Sequence, residues 1–236
     1  MKDGIELQAK YSYVPNSFGY CGPKSFYAIY DLYQKGEVDI WDLKKELEKF
    51  VIPMSYLRLI ANSNGKEIFD YEVVEAFWIG NQLLQNVKFD DLKNFITHDL
   101  VKVGLKKNHA IQLSENLPNS LVPNHLFHVL YIQFITDKVK RHLGNFDNCH
   151  VGWGRVKHAG DNYLKLDYFP LLKKSGQYYI GKGSKKVLKG FVKNPLAGDF
   201  VSTHWSSSIQ KLTERQVRNL EYYSNLNLKH INETIK

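Results

Sequence analysis

The run Cys149-His150-Val151-Gly152-Trp153-Gly154-Arg155-Val156, read together with Gly198-Asp199-Phe200-Val201-Ser202-Thr203-His204-Trp205, decides the fold of the second half of this chain. Both runs read as β-strands, Cys149–Lys157 and Asp199–Trp205. The first places a thiol at the head of its strand, and the second places an imidazole at its end. A short barrel-like sheet would bring those two ends together. A thiolate is a soft ligand and an imidazole a borderline one, so Cys149 and His204 suit a transition ion such as iron or zinc. Two ligands do not close a structural site, which favours a transfer site over a permanent one.

Working outward, the β pattern continues through Tyr163–Phe169, Tyr178–Gly181 and Lys186–Val192, with turns at Gly160-Asp161, Ser175-Gly176 and Asn194-Pro195. Thr213 with Gln216 forms a capping box that opens a final helix bearing Val217, Leu220 and Leu228. Upstream the period is helical. Gly22-Pro23 reads as a helix start, with Phe26, Ile29, Tyr30 and Tyr33 on one face and Gly36 as the stop. Asp39, Pro53 and Asp70 open three further helices, and Phe89–Val101 reads as a fifth. Residues 1–20 read as an irregular arm and 104–124 as a loop, while His125–Thr136 is ambiguous between helix and strand. The expected fold is α+β. A helical bundle with its N-terminal arm occupies 1–145, and a small OB-like β-barrel with a closing helix occupies 146–236.

The bulk properties narrow the function. The 236 residues are 43% hydrophobic, enough for a sizeable core. Met1–Lys10 is polar, with no apolar segment of a signal peptide, and no apolar run is long enough to cross a membrane. A cytoplasmic location is expected, with the two cysteines, Cys21 and Cys149, as reduced thiols. The net charge of +8 comes from lysines that read as spread along the chain, densest at Lys173-Lys174 and Lys185-Lys186. A solvated lysine-rich surface is the simplest account.

Cys149–Val156 resembles the opening of the hydrogenase assembly chaperones of the HypC/HupF family, in which a cysteine precedes a short Gly-containing, basic and aliphatic run. Gly198–His204 looks like that family's Gly-Asp-aromatic-Val-x-x-His segment, and a small-residue stretch and a helix follow it here as there. The resemblance covers roughly residues 148–228. It implies a non-enzymatic carrier in which Cys149 and His204 hold iron transiently. The implied partner is a hydrogenase large subunit or a maturation scaffold protein. In that family the cysteine becomes the N-terminal residue, whereas Cys149 is internal, and Trp153 stands where the family has proline. Over its full length the chain also looks like a prokaryotic family of unassigned function. The marks of that likeness are Pro15–Pro23, Asp147-Asn148-Cys149 and His204-Trp205.

Two alternatives belong to other classes. Cys21-Gly22-Pro23 at a helix start resembles the nucleophile region of papain-like thiol hydrolases. In that reading Cys21 is the nucleophile, lowered in pKa by the helix N-terminus, His128 the base and Asp147 the orienting acid. The other alternative is an OB-type nucleic-acid-binding protein, with Trp153, Tyr168 and Trp205 as stacking platform. The chain lacks an RNP-like run, so nucleic acid is not the expected partner, nor is a membrane. His125 or His128 with Cys149 is a further metal combination. His-x-x-His shares a face only if the segment is helical, so the structure of 125–136 bears directly on function.

Overall fold

The computed structural model describes residues 1–135 and 138–234. It is a mixed α+β fold, with a helical first half, a five-stranded sheet, a two-stranded sheet and a long C-terminal helix.

The N-terminal stretch is not an irregular arm. Lys2–Ser17 forms helix α1, with Ile5, Leu7, Ala9, Tyr11 and Val14 buried, and also Gln8, Ser12 and Asn16. The helix is covered on more than one side, so it lacks the simple apolar stripe of a surface helix. Two of its buried polar side chains are partnered: Trp78 Nε1 donates to Gln8 Oε1 at 2.8 Å, and Gln8 Nε2 donates to Ser12 Oγ at 2.9 Å.

Helix α2 (Phe26–Lys35) begins three residues after Pro23 and stops at Gly36, which takes the left-handed conformation. In α3 (Ile40–Leu47) the Asp39 carboxylate accepts from the N–H groups of Trp41 and Asp42, satisfying two orphan donors. Helices α4 (Val51–Asn64) and α5 (Tyr71–Trp78) follow; Gly65 ends the former. The fifth expected helix is three pieces: α6 (Phe89–Asn94), a π-helical turn over Phe95–Asp99, and α7 (Leu100–Lys102). The expected loop 104–124 contains helix α8 (Lys107–Glu115). It buries only Ala110, so its apolar signal is faint.

The ambiguous segment is helical from His125 to Ile132, and its last residue, Thr136, lies outside the described residues. Helix α9 (His125–Phe127) runs into a π-helical turn over His128–Ile132, and Asn124 caps it by accepting from Phe127 N–H. Helix α10 (Leu143–Cys149) is the other surprise. It ends on Cys149, so the thiol closes a helix instead of heading a strand, and position 145/146 lies inside this helix.

The strands are β1 (Gly152–Ala159), β2 (Tyr163–Tyr168), β3 (Leu171–Lys174), β4 (Gln177–Ile180), β5 (Gly183–Leu188), β6 (Phe200–His204) and β7 (Ser207–Leu212). Neighbours run β1-β2-β5-β7-β6, and β6 pairs back on β1; the β5–β7 link is a single parallel bridge, Leu188 to Ser207. Strands β3 and β4 form a separate hairpin. It docks on α11 (Glu214–Thr234) through Asn232, which bonds both the N–H and the carbonyl of Tyr178 at 2.8 Å. The capping box forms as expected: Gln216 Oε1 accepts from Thr213 N–H, and Thr213 Oγ1 accepts from Gln216 N–H.

Two cores result. The smaller lies within the five-stranded sheet: Val156, Leu164, Leu166, Tyr168, Val187, Val192 and Val201. The larger is continuous from α1 to α11 and takes in Trp153, Trp205 and Ile209 of the sheet. Alternation along β6 explains the division. Val201 faces the sheet interior, while Ser202 and His204 face α1, where Tyr11 Oη donates to Ser202 Oγ at 2.8 Å.

Candidate metal centre

Register brings Cys149 and His204 together. In the antiparallel β1–β6 pair Gly152 lies opposite Thr203, so the residues before β1 run beside those ending β6. The Trp205 N–H donates to the Asn148 carbonyl at 2.7 Å and holds the end of α10 there. Trp205 and Ser206 then turn the chain into β7 with φ of +49° and +59°. This is the two-residue hairpin geometry that Gly or Asn usually supplies. For Trp and Ser it costs on the order of 1 kcal/mol each, and it presents the Trp205 indole to the cavity that His204 also lines.

A third candidate ligand comes from the helical half. One ligand atom each of His125, Cys149 and His204 lie within 4.8 Å of one another, and all three residues are buried. The His125 and His204 rings meet edge to face, with centroids 5.2 Å apart, and Trp78 stacks on His125 at 4.5 Å. His204 Nδ1 donates to the Tyr11 carbonyl at 2.8 Å, which fixes the tautomer and leaves a lone pair on Nε2. That Nε2 has no hydrogen-bond partner, and neither does Nδ1 of His125. Buried polar atoms without partners are uncommon in folded proteins. A backbone carbonyl fixing one nitrogen while the other faces a ligand position is the usual outer arrangement of a metal-bound histidine.

Burial sets the charge states. Desolvation holds the His204 and His128 imidazoles down at about 4, and His125 well below the ordinary histidine value. The rings are neutral near pH 7, the form a metal needs. Burial pushes the Cys149 thiol far up, the neighbouring Cys21 adds to that rise, and burial pushes Cys21 up to about 12. Without a cation the site holds neutral imidazoles and protonated thiols. A divalent ion would supply the charge that displaces the thiol proton.

The ligands border a cavity of about 80 Å³, which Cys21, His128 and Trp205 also line. Phe77, Trp78, Ile52 and Phe134 make its apolar wall. Cys21 arrives on the loop after α1. Asn16 Nδ2 donates to both the Cys21 and Pro23 carbonyls at 2.8 Å, and Gly22 turns the chain with φ of +75°. A Cβ on Gly22 would lie 2.2 Å from the Phe50 ring, so no larger residue fits without displacing it.

Cys21 is not at a helix N-terminus, since α2 starts at Phe26, and its thiol is raised in pKa instead of lowered. His128 Nδ1 contacts Tyr56 Oη at 3.1 Å. Asp147 faces other partners: its carboxylate accepts from Leu171 N–H at 2.8 Å and from Lys185 Nζ at 3.0 Å. Cys21 and His128 therefore share a cavity, and Asp147 serves the junction of α10, β3 and β5. Of the proposed stacking residues, Trp153, Tyr168 and Trp205 are all buried.

His125 is the residue whose role sequence reasoning left open between two histidines. Asn124, an N-cap residue ahead of an apolar run, signals that the segment is helical, but only the tertiary packing picks His125. No helix among the described residues is long and apolar enough to cross a membrane. No curated protein and no solved structure matches the chain. The chain belongs to a family of unknown function (DUF6390), whose model matches residues 1–236.

Proposed function

We propose that the protein binds a transition-metal ion through His125, Cys149 and His204 and passes it on, acting as a carrier and not as an enzyme. The observation that carries this reading is the convergence of ligand atoms of His125, Cys149 and His204 within 4.8 Å, in residues where His125 Nδ1 and His204 Nε2 are buried without hydrogen-bond partners. A tetrahedral ion with bonds near 2.1 Å needs ligand atoms roughly 3.4 Å apart, so closure asks for side-chain adjustments on the order of 1 Å. One sulfur and two nitrogens suit iron(II), zinc or cobalt(II) better than calcium or magnesium. Three protein ligands leave a coordination position open toward the cavity, where a recipient's ligand can take over.

The hydrogenase-maturation form of this reading makes the ion iron and the recipient a hydrogenase large subunit. It rests on the resemblance of Cys149–Val156 and Gly198–His204. The ring of pairings β1-β2-β5-β7-β6, with its one parallel link, supports the OB-like reading of the sheet.

Anaerobic titration with cobalt(II) tests the site. Wild type should develop the thiolate-to-cobalt charge-transfer band, Cys149→Ser should lose it, and His204→Ala and His125→Ala should weaken binding by about tenfold to a hundredfold. Cys21→Ser should retain the band. A folded Cys149→Ser protein with an unchanged band overturns the proposal. Infrared spectroscopy of anaerobically purified protein in the cyanide and carbonyl stretching region tests the iron form separately.

A further inference from the structure

The formal charge is not spread along the chain. Residues 149–212 carry eleven Lys and Arg against three Asp, which is the entire +8, and the remaining residues balance to zero. Pairing consumes few of these cations. Lys157 meets Asp167, Lys185 meets Asp147 and Lys211 meets Asp199. Among the described residues no carboxylate pairs with Lys165, Lys186 or Lys189.

Register sets two of the unpaired cations side by side on one sheet face. Across β1, β2 and β5, His158 lies opposite Lys165, and Lys165 lies opposite Lys186. Like charges set directly opposite each other destabilise a sheet, so this row is held against a folding cost. Beside it Tyr163 pairs with Leu188, which is 61% exposed. The row therefore borders an uncovered aliphatic side chain.

We propose that the outer face of β1, β2 and β5 docks an acidic protein surface, with Lys165 and Lys186 as its charged contacts and Leu188 as its apolar one. An acidic protein fits better than nucleic acid. The cations are lysines, and Arg155 is already engaged by the Gly198 carbonyl. The aromatic ring of this row, Tyr163, has Lys186 Nζ over it at 4.0 Å and is not free to stack on bases. A lone exposed leucine among cations matches an interface with a small apolar centre and steering charge around it. This face is separate from the buried metal ligands, so the inference stands or falls apart from the metal reading.

The test uses the full chain and a synthetic glutamate-rich peptide containing leucines. A thymidine oligonucleotide of equal charge and phosphatidylserine vesicles run in parallel. Wild type should bind the peptide with an affinity that falls as salt rises. Lys165→Glu/Lys186→Glu should weaken it about tenfold or more, and Leu188→Ser about threefold. Lys106→Glu/Lys107→Glu, the same charge change on exposed residues at the start of α8, should leave it within about twofold. Equal losses in the two double variants would reduce the effect to net charge and overturn the proposal. So would tighter binding of the oligonucleotide or the vesicles. Cobalt loading of each variant reports the metal site independently.

Discussion

The two sides of the five-stranded sheet follow one backbone rule and reach opposite chemistry. On β6 alternate residues point to opposite faces, yet both rows are buried, because α1 lies over the outer row. There Ser202 and His204 sit in a dry, uncharged setting. On β2 the inner row, Leu164 and Leu166, is equally buried, but the outer row, Lys165 and Asp167, meets water. What separates a metal-ligand environment from a lysine face is whether a helix covers the strand. Strand propensity plays no part in it.

Removing the link between sheet and helices should have the largest effect. Trp153 is 2% exposed, stacks on Phe169 with centroids 5.5 Å apart, and joins β1 to the larger core. Trp153→Ala should cost about 3–5 kcal/mol in denaturant unfolding. A loss below about 1 kcal/mol would mean that the sheet is not anchored through this residue.

Acid should act on the covered side through its buried imidazoles. The His128 pKa is lowered by burial from 6.5 to about 4 in the folded protein. Between those values the unfolded chain takes up a proton that the folded one does not, so unfolding is favoured as pH falls. The stability is fully present above pH 6.5, declines toward pH 4 and levels off below it. His204 has the same sign. Thermal melts of the metal-free protein should show that decline, and a flat profile over the interval would contradict the buried neutral imidazoles.

The uncovered side should respond least. Lys165→Gln removes one like-charge neighbour of Lys186 and should be neutral or stabilising by up to about 0.5 kcal/mol at low salt. The gain should vanish as salt screens the pair. A destabilisation beyond about 1 kcal/mol would show that Lys165 makes a structural contact instead.

Much of the fold was legible because local physics wrote it. The Asp39 cap, the Gly36 and Gly65 stops, the Thr213–Gln216 box and the Ser175-Gly176 turn each depend on residues a few positions apart. Helix α1 was not legible, since buried Gln8, Ser12 and Asn16 interrupt its apolar pattern, and Gln8 and Asn16 find partners in Trp78 and in the Cys21 and Pro23 carbonyls outside the helix. Strand β7 was missed for a related reason: Ser207 and Ser208 are buried, yet their composition reads as loop. Cys149 was placed beside His204 from strand pairing alone, although its own position proved helical.

The composition and local patterns settled the α+β division, a few helix ends such as those at Gly36, Asp39 and Thr213, and the presence of a thiol and an imidazole at converging chain ends. The charge excess of 149–212 was also countable from the residues, though not the face it would occupy. Folding in three dimensions brought His125 beside Cys149 and His204 and left Asp147 among other partners. It also laid α1 over one strand row while leaving another bare. Hydrophobic burial is non-directional and acts between segments far apart in the chain. No local pattern therefore encodes which helix covers which strand, and that covering decides where the imidazoles are kept neutral and where the lysines stay in water.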